Sequence, residues 1–446
     1  MSPQTARGGS DGGLPLLLIL DRVRLETSGD LVSPLLDGKA MELKATTSSA
    51  VYKAYCFCIF AGPAITSTYL NLFFHRRGLS DAQIGALSGV LAVVGIVSPP
   101  LWGAIADAIG SNMKPGLFLM VTTALLFPVF ACVKSYPLLL LLMSVFGFCF
   151  SPITPLGDAA IISYSQRRGR TYASIRLWGS LGFVVVITSC GLLLPGTSGA
   201  HTGSLLPIFG AFVVWRVVGV LVGVRIKEGR PETVRERSSI APALREVAAL
   251  FRRPRMALFA VCAGLGWGAM QAYYAFFTIY LDTLHVPDSA KGLFWNIGVL
   301  AEILFLTFSG PFVRRAGPYP LFTLGLAAQA ARLCLFSFPA PLWVIGVGQL
   351  LHAFTFASFY LGCIAFLSEN VPDRLRAGGQ TWFAGLVMGL GAAAGAWIAG
   401  NVAHTCGLAI MFRAGSATAS IGCCLSLVLF ARPRKTGSLC PIAPTS

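Results

Sequence analysis

The chain has 446 residues, of which 55% are hydrophobic and only 12% charged, and its mean hydropathy is +0.72. A soluble globular chain carries about 25% charged residues, so a water-exposed domain is excluded as the main architecture. The formal net charge of +16 is high enough for a nucleic-acid partner, but its distribution points to a membrane instead.

Residues 1–48 are rich in Gly, Ser, Asp and Pro and predict a disordered cytoplasmic tail. The apolar run Leu14–Leu20 is too short to span a bilayer and is followed at once by Asp21. From Val51 onward, apolar runs of about 20 residues recur. They predict an all-α membrane protein with twelve transmembrane helices at 51–74, 82–106, 115–133, 136–164, 173–194, 204–224, 256–281, 291–313, 318–338, 341–368, 378–402 and 408–431. The expected domains are the tail 1–48, a six-helix half 49–225, a basic linker 226–254, a second half 255–431 and a tail 432–446. Of the 34 Lys and Arg, 26 fall in the tails, in the even-to-odd loops or, for Lys53, in the first residues of span 1 beside the tail. Four (Arg76, Arg77, Lys134, Lys291) lie on the other side, and four (Arg176, Arg216, Arg332, Arg413) lie within spans. This bias predicts that both termini are cytoplasmic, without selecting between the plasma membrane and an organelle membrane.

Span 1 contains Gly62-Pro63, expected to break the helix, together with Tyr55, Thr66, Tyr69 and Asn71. Span 2 opens on Ser80 and Gln83 at capping-box spacing and runs on into Gly103-x-x-x-Asp107-x-x-Gly110-x-x-x-Lys114. Spans 4 and 5 flank the basic loop 166–170. Asp158 and Arg176 each lie nine residues from Arg167, roughly 13 Å into the membrane at helical rise. An acid and a base at one depth on antiparallel neighbours can pair, either as a structural lock or as part of a ligand site. Pro155, Gly157, Gly179 and Gly182 around them are expected to leave room for a ligand.

The linker, with nine Lys/Arg between Arg225 and Arg255, predicts a short amphipathic helix on the anionic leaflet. Span 7 offers Trp267, Gln271, Tyr273 and Tyr274 to a cavity. Glu302, Arg332 and His352 fall at comparable depth on spans 8, 9 and 10, a pattern of a proton relay, a substrate clamp or a polar knot between helices. The Gly/Ala-rich span 11 suits close packing. No phosphate-binding G-x-x-x-x-G-K-[ST] loop is present, and His75, His201, His285, His352 and His404 form no metal spacing. An enzyme, a cofactor and a metal are therefore not expected.

The segment Gly103 to Lys114 resembles the loop motif of the major facilitator superfamily between its second and third spans. Gly310 to Gly317 echoes it after 207 residues, and Arg168/Arg170 recurs at Arg374/Arg376 after 206, as expected of two related halves. By this resemblance Gly103 allows close helix approach, Asp107 caps a neighbouring helix, and Gly103, Asp107, Gly110 and Lys114 form a conformational switch. Within the superfamily, Pro155 to Phe183 resembles the branch of lactose permease-like oligosaccharide–proton symporters and phenylpropionate permease-like proteins. That resemblance implies that Asp158 and Arg176 contact substrate, with Phe183 as an aromatic platform. It places Glu302 at a substrate-contacting acid, Arg332 at a coupling arginine and His352 at the family's histidine of span 10. Thr355 stands where lactose permease has a proton-carrying glutamate.

The resulting expectation is a secondary transporter of a small organic solute, an aromatic or other carboxylate or a sugar, coupled to protons and working by rocker-switch alternating access. Asn71, Asp158, Arg176, Phe183, Tyr273 and Glu302 are the candidate substrate contacts, and Glu302, Arg332 and His352 the candidate proton-coupling set. A functional monomer in a lipid bilayer, with no nucleic-acid partner, completes the expectation. A facilitative uniporter or exporter, or a receptor on the same fold, is the alternative. Epitope tags at residue 30 and after residue 435 are predicted to be protected from external reagents in intact cells. Labelling at either end from outside would contradict the charge-based topology.

Overall fold

The computed structural model describes residues 47–194, 205–228, 240–308, 315, 318–372 and 375–431. Twelve helices lie near the predicted spans. The first six are α1 (Ser49–Arg76), α2 (Asp81–Ile109), α3 (Met113–Cys132), α4 (Tyr136–Arg168), α5 (Tyr172–Leu193) and α6 (Pro207–Gly223). A linker helix, α7 (Ile240–Phe251), precedes α8 (Pro254–Thr283), α9 (Asp288–Phe308), α10 (Tyr319–Phe336), α11 (Leu342–Asn370), α12 (Gly378–Cys406) and α13 (Leu408–Phe430). Eleven are long and apolar enough to cross a membrane, and α6 is shorter but equally apolar in character. Their outer faces expose large apolar side chains, with Leu192 81% and Phe308 73% accessible, which only a lipid environment satisfies. The tail 1–46, the repeat Gly310 to Arg314 and Arg374 lie outside the described residues.

Local sequence sets the helix boundaries. Ser80 and Gln83 close the expected capping box: the Gln83 amide donates to Ser80 Oγ at 3.3 Å, and the Ser80 amide donates to Gln83 Oε1 at 2.9 Å. Gly110 ends α2 in the left-handed region at φ 70°, which glycine adopts without strain. The expected break at Gly62-Pro63 does not occur. Helix α1 continues through Pro63 and loosens into a π-turn over Thr66–Leu70. The Thr66 and Ser67 hydroxyls donate to the Gly62 and Pro63 carbonyls at 2.7–3.3 Å, which also accept from the Thr66 amide.

Since α1 to α13 (leaving α7 aside) make twelve crossings, both described ends lie on one face, called here the termini face. At the opposite, far face the two halves share one continuous apolar core, from Ile65, Phe74, Phe127 and Ile187 in the first half to Phe276, Trp295, Ala399 and Phe412 in the second. Toward the termini face this core divides. Tyr52, Tyr55, Met113 and Tyr164 belong to a cluster confined to α1–α6, while Met256, Phe259, Phe366 and Leu429 belong to one confined to the second half. The hydrogen bonds and ion pairs between described residues of the two halves are all on the far side, so the halves part toward the termini face. Helix α7 packs Val247, Leu250 and Phe251 against Trp382 and Phe259 of the second half, so its apolar face is docked on protein and not on the leaflet.

Glycine permits the tight crossings. A Cβ on Gly85 of α2 would lie 2.7 Å from Gly400 Cα of α12, and one on Gly395 would lie 2.6 Å from Gly268 Cα of α8. Gly103, expected at a close approach, has nothing within 4 Å of its Cβ position, because the termini-side ends of the helices are splayed. Gly395→Val is therefore predicted to cost about 1–3 kcal/mol through overpacking, while Gly103→Ala, in open space within a helix, does not destabilise. Melting in detergent checks this contrast, and equal melting temperatures for the two variants would contradict it.

Candidate functional site

A cavity of about 560 Å³ lies between the halves. Its walls come from α1, α2, α4 and α5 on one side and from α8, α9, α11 and α12 on the other. Aromatic rings dominate the lining, among them Phe60, Phe183, Trp267, Tyr274, Trp295 and Phe356. Two charged side chains enter it from opposite halves, Arg176 on α5 and Glu302 on α9, with His352 beside Glu302.

Arg176 does not pair with Asp158. Among the described residues no acid lies within 4.0 Å of its guanidinium, whose Cζ stacks 3.8 Å over the Phe60 ring. Asp158 is absent from the cavity lining and faces Tyr172, so equal depth on neighbouring helices does not produce the expected contact. The reason is rotational. Gly157 and Gly179 admit Ile59 and Phe60 of α1, and a Cβ on Gly182 would meet Phe57 Cα at 2.9 Å. These glycines seat α1 tightly between α4 and α5 and leave no space for a ligand there.

The Glu302, Arg332 and His352 cluster does assemble. Arg332, fully buried, donates from Nη1 to His352 Nδ1 at 3.0 Å and from Nη2 to Gln349 Oε1. Its Cζ lies 3.7 Å over the Tyr273 ring, and the Tyr273 hydroxyl donates to the same Gln349 oxygen at 3.2 Å. A guanidinium has only donors, so it requires the Nδ1 lone pair and leaves the His352 proton on Nε2. That nitrogen points at Glu302 Oε2, 3.7 Å away. The Thr355 hydroxyl is 3.2 Å from the same Nδ1. Tyr273, expected to touch solute, is 1% exposed and supports Arg332, while its neighbour Tyr274 lines the cavity.

On α1, Thr66 and Asn71 line the cavity, whereas Tyr55 and Tyr69 are packed away. Asn71 donates to Ser88 Oγ at 3.2 Å and across the halves to the Ala275 carbonyl at 3.1 Å. Asp107 and Lys114, expected to belong to a conformational switch, have no side-chain partner among the described residues. Instead the first amides of α3 are capped by Glu228, which accepts from Asn112 N at 3.2 Å, Met113 N at 3.1 Å and Ser111 Oγ.

The far face holds a cluster absent from the sequence-based site. Arg76 Nη1 donates to Asp288 Oδ2 at 2.7 Å, and its Nη2 reaches both Asp282 Oδ1 at 2.5 Å and Asp288 Oδ1 at 2.7 Å. Lys291 Nζ bonds the same two acids at 2.9 and 2.5 Å. Asp288 and Lys291 are fully buried, and the four charges join α1 to α8 and α9. A sequence signal existed in the Asp288/Lys291 pair at i, i+3, but nothing local indicated Arg76 as the partner.

Two helical halves around one central, charge-bearing cavity define a membrane transporter of the major facilitator type. The family model described as MFS_1 like family matches residues 50–414, and the chain belongs to this family. It is 27% identical over 323 residues to a protein of Escherichia coli strain K12 named a probable 3-phenylpropionic acid transporter, covering 70% of this chain and 80% of that one. It is 23% identical to a maltose permease of Geobacillus stearothermophilus, over 90% of this chain and 99% of that one. The crystal structure of the nucleoside transporter NupG superposes with a TM-score of 0.75 at 19% identity, covering 86% of this chain and 99% of NupG.

The support of Arg332 is directly testable. Gln349→Leu removes the acceptor shared by Arg332 and Tyr273 and is predicted to destabilise the protein by about 1–3 kcal/mol. Thermal melting in detergent measures the loss, and an unchanged midpoint would contradict the network.

Proposed function

We propose that the chain is a proton-coupled secondary transporter of a small organic solute, with both termini cytoplasmic and one central site exposed alternately to the two faces. The observation that carries this reading is the central cavity with Arg176 on one half and the Glu302, His352 and Arg332 cluster on the other, closed at the far face by Arg76, Asp282, Asp288 and Lys291. With cytoplasmic termini, this is the inward-facing state.

The roles follow from chemistry. Arg176 binds the solute, and its planar fork offers two parallel donors that a lysine lacks. Phe183 provides a flat apolar wall. Glu302 takes up and releases the coupled proton, and movement of α9 against α11 changes its distance to His352 Nε2 and its field from Arg176. Arg332 fixes the tautomer that leaves His352 Nε2 as a donor facing Glu302. The Gly103 to Lys114 segment, splayed here, meets the second half when the termini face closes. Rocking the halves requires the far-face cluster to separate, and buried charges separate only when water reaches them. Opening of one face is thereby linked to closure of the other.

Proteoliposomes test the coupling, with labelled 3-phenylpropionate, maltose and xanthosine as probes and protein-free liposomes as baseline. Glu302→Gln, a mimic of the protonated carboxyl, is predicted to abolish accumulation driven by a pH gradient while counterflow exchange persists. Accumulation by this variant that still responds to pH would move coupling to another residue. A wild type without pH dependence would identify a uniporter. Arg176→Lys is predicted to lose solute binding, by about tenfold or more, with a melting temperature close to wild type. Normal binding by this variant would remove Arg176 from the site.

A further inference from the structure

Building on the proton-coupled reading, we infer that the solute is an organic monoanion with an apolar, flat body, a monocarboxylate, and that it moves with one proton in an electroneutral step. The inference starts from the charges that reach the cavity. Among the described lining residues these are one guanidinium, Arg176, and one carboxylate, Glu302, set on opposite halves. They form no ion pair within 4.0 Å, yet Arg176 is the charged group acting on Glu302 across the cavity. The other groups around them are fixed or turned away. Around Glu302, His352 of α11 is 3.7 Å distant and Tyr274 of α8 faces it, while Arg332 of α10 stands behind the histidine. Around Arg176, Phe60 of α1 covers one face of the guanidinium, and Asp158 of α4 lies nearby without contacting it or entering the cavity.

Across a chamber walled by aromatic rings, two opposite charges that do not touch still interact through the low-dielectric protein around them. When a proton binds Glu302, Arg176 loses the carboxylate it faced, and an incoming carboxylate can replace it. When the proton leaves, Glu302 again competes with the solute for the field of Arg176. Proton and anion therefore favour each other's binding, and linkage makes that preference reciprocal. One titrating carboxyl and one unpaired guanidinium set the stoichiometry at one proton to one monoanion, so no net charge crosses with the cargo.

The polar lining points the same way. Asn71 and Ser88 bond each other, and the Gln271 amide donates to the Trp267 carbonyl at 3.4 Å. Beyond the Ser180 and Tyr274 hydroxyls and the Gln271 amide oxygen, a sugar with hydroxyls around its whole ring would find few partners not already bonded, and unpaired polar groups in an apolar site are costly. An aromatic monocarboxylate needs one ionic contact at Arg176 and flat walls such as Phe183, Trp267 and Trp295.

The experiment uses full-length protein in liposomes, with benzoate, phenylacetate and 3-phenylpropionate as charged probes. Maltose and xanthosine are the sugar and nucleoside probes, and protein-free liposomes are the baseline. An inside-alkaline gradient is expected to drive protein-dependent accumulation of at least one carboxylate. A potassium–valinomycin potential of either sign should change that accumulation by less than about twofold. For the wild type, Kd for the carboxylate should rise with pH toward about tenfold per unit. For Glu302→Gln the Kd should be flat with pH. A strong response to the potential, or accumulation of maltose or xanthosine with no carboxylate bound, would overturn this inference and leave proton-coupled transport standing. If the pH gradient drives no probe at all, both the inference and the proposed function fail.

Discussion

The buried cluster of Arg76, Asp282, Asp288 and Lys291 is the interaction on which the rest of the arrangement depends. Two cations and two anions at a membrane-helix boundary are tolerable only together, because a lone buried charge is strongly destabilising. Arg76 comes from the first half and the other three members from the second, so satisfying the cluster fixes how the halves meet. The continuous apolar core beneath it, and the glycine contacts between α2 and α12, follow from that juncture. Toward the termini face no such cluster joins described residues, and the core divides in two.

Closing one end of two rigid bundles leaves the cavity at the middle, where the helices begin to diverge. Its chemistry is asymmetric. The first half presents a guanidinium laid on an aromatic ring, while the second presents a carboxylate backed by a histidine whose tautomer is set by a buried arginine. Arg332 is in turn held by Gln349 and the face of Tyr273, so a side chain that never meets the cavity determines what one at its wall can donate. Arg216 shows a different solution on α6. It is buried with Nε and Nη1 unpartnered and rests on the rings of Phe150 and Phe212, in space that the missing side chain of Gly62 provides.

Much of this was legible in the sequence, for reasons that differ by residue. The spans were visible because a bilayer demands about 20 apolar residues per helix. The Glu302, Arg332 and His352 grouping was visible because buried charge on successive helices at one depth must find company. Depth, however, says nothing of rotation about the helix axis. That is why Asp158 was paired with Arg176 on paper yet faces Tyr172, and why Tyr273 was placed at the solute in the position that Tyr274 occupies. The far-face cluster escaped because Arg76 lies some 200 residues from the other three members and each looks like an ordinary loop charge. The Gly103 segment, expected at a close helix approach, has nothing within 4 Å of its Cβ position because the halves part toward the termini face.

The central claim is that closure at the far face and opening at the termini face are one coupled equilibrium. Distances between spin labels introduced as unnatural amino acids measure it directly, with one pair at Gly78 and His285 on the far face and another at Arg168 and Arg252 on the termini face. In the wild type the far-face pair is predicted to be short and the termini-face pair long, and Asp288→Asn should lengthen the first while shortening the second. A change in one distance with the other unmoved would contradict the account.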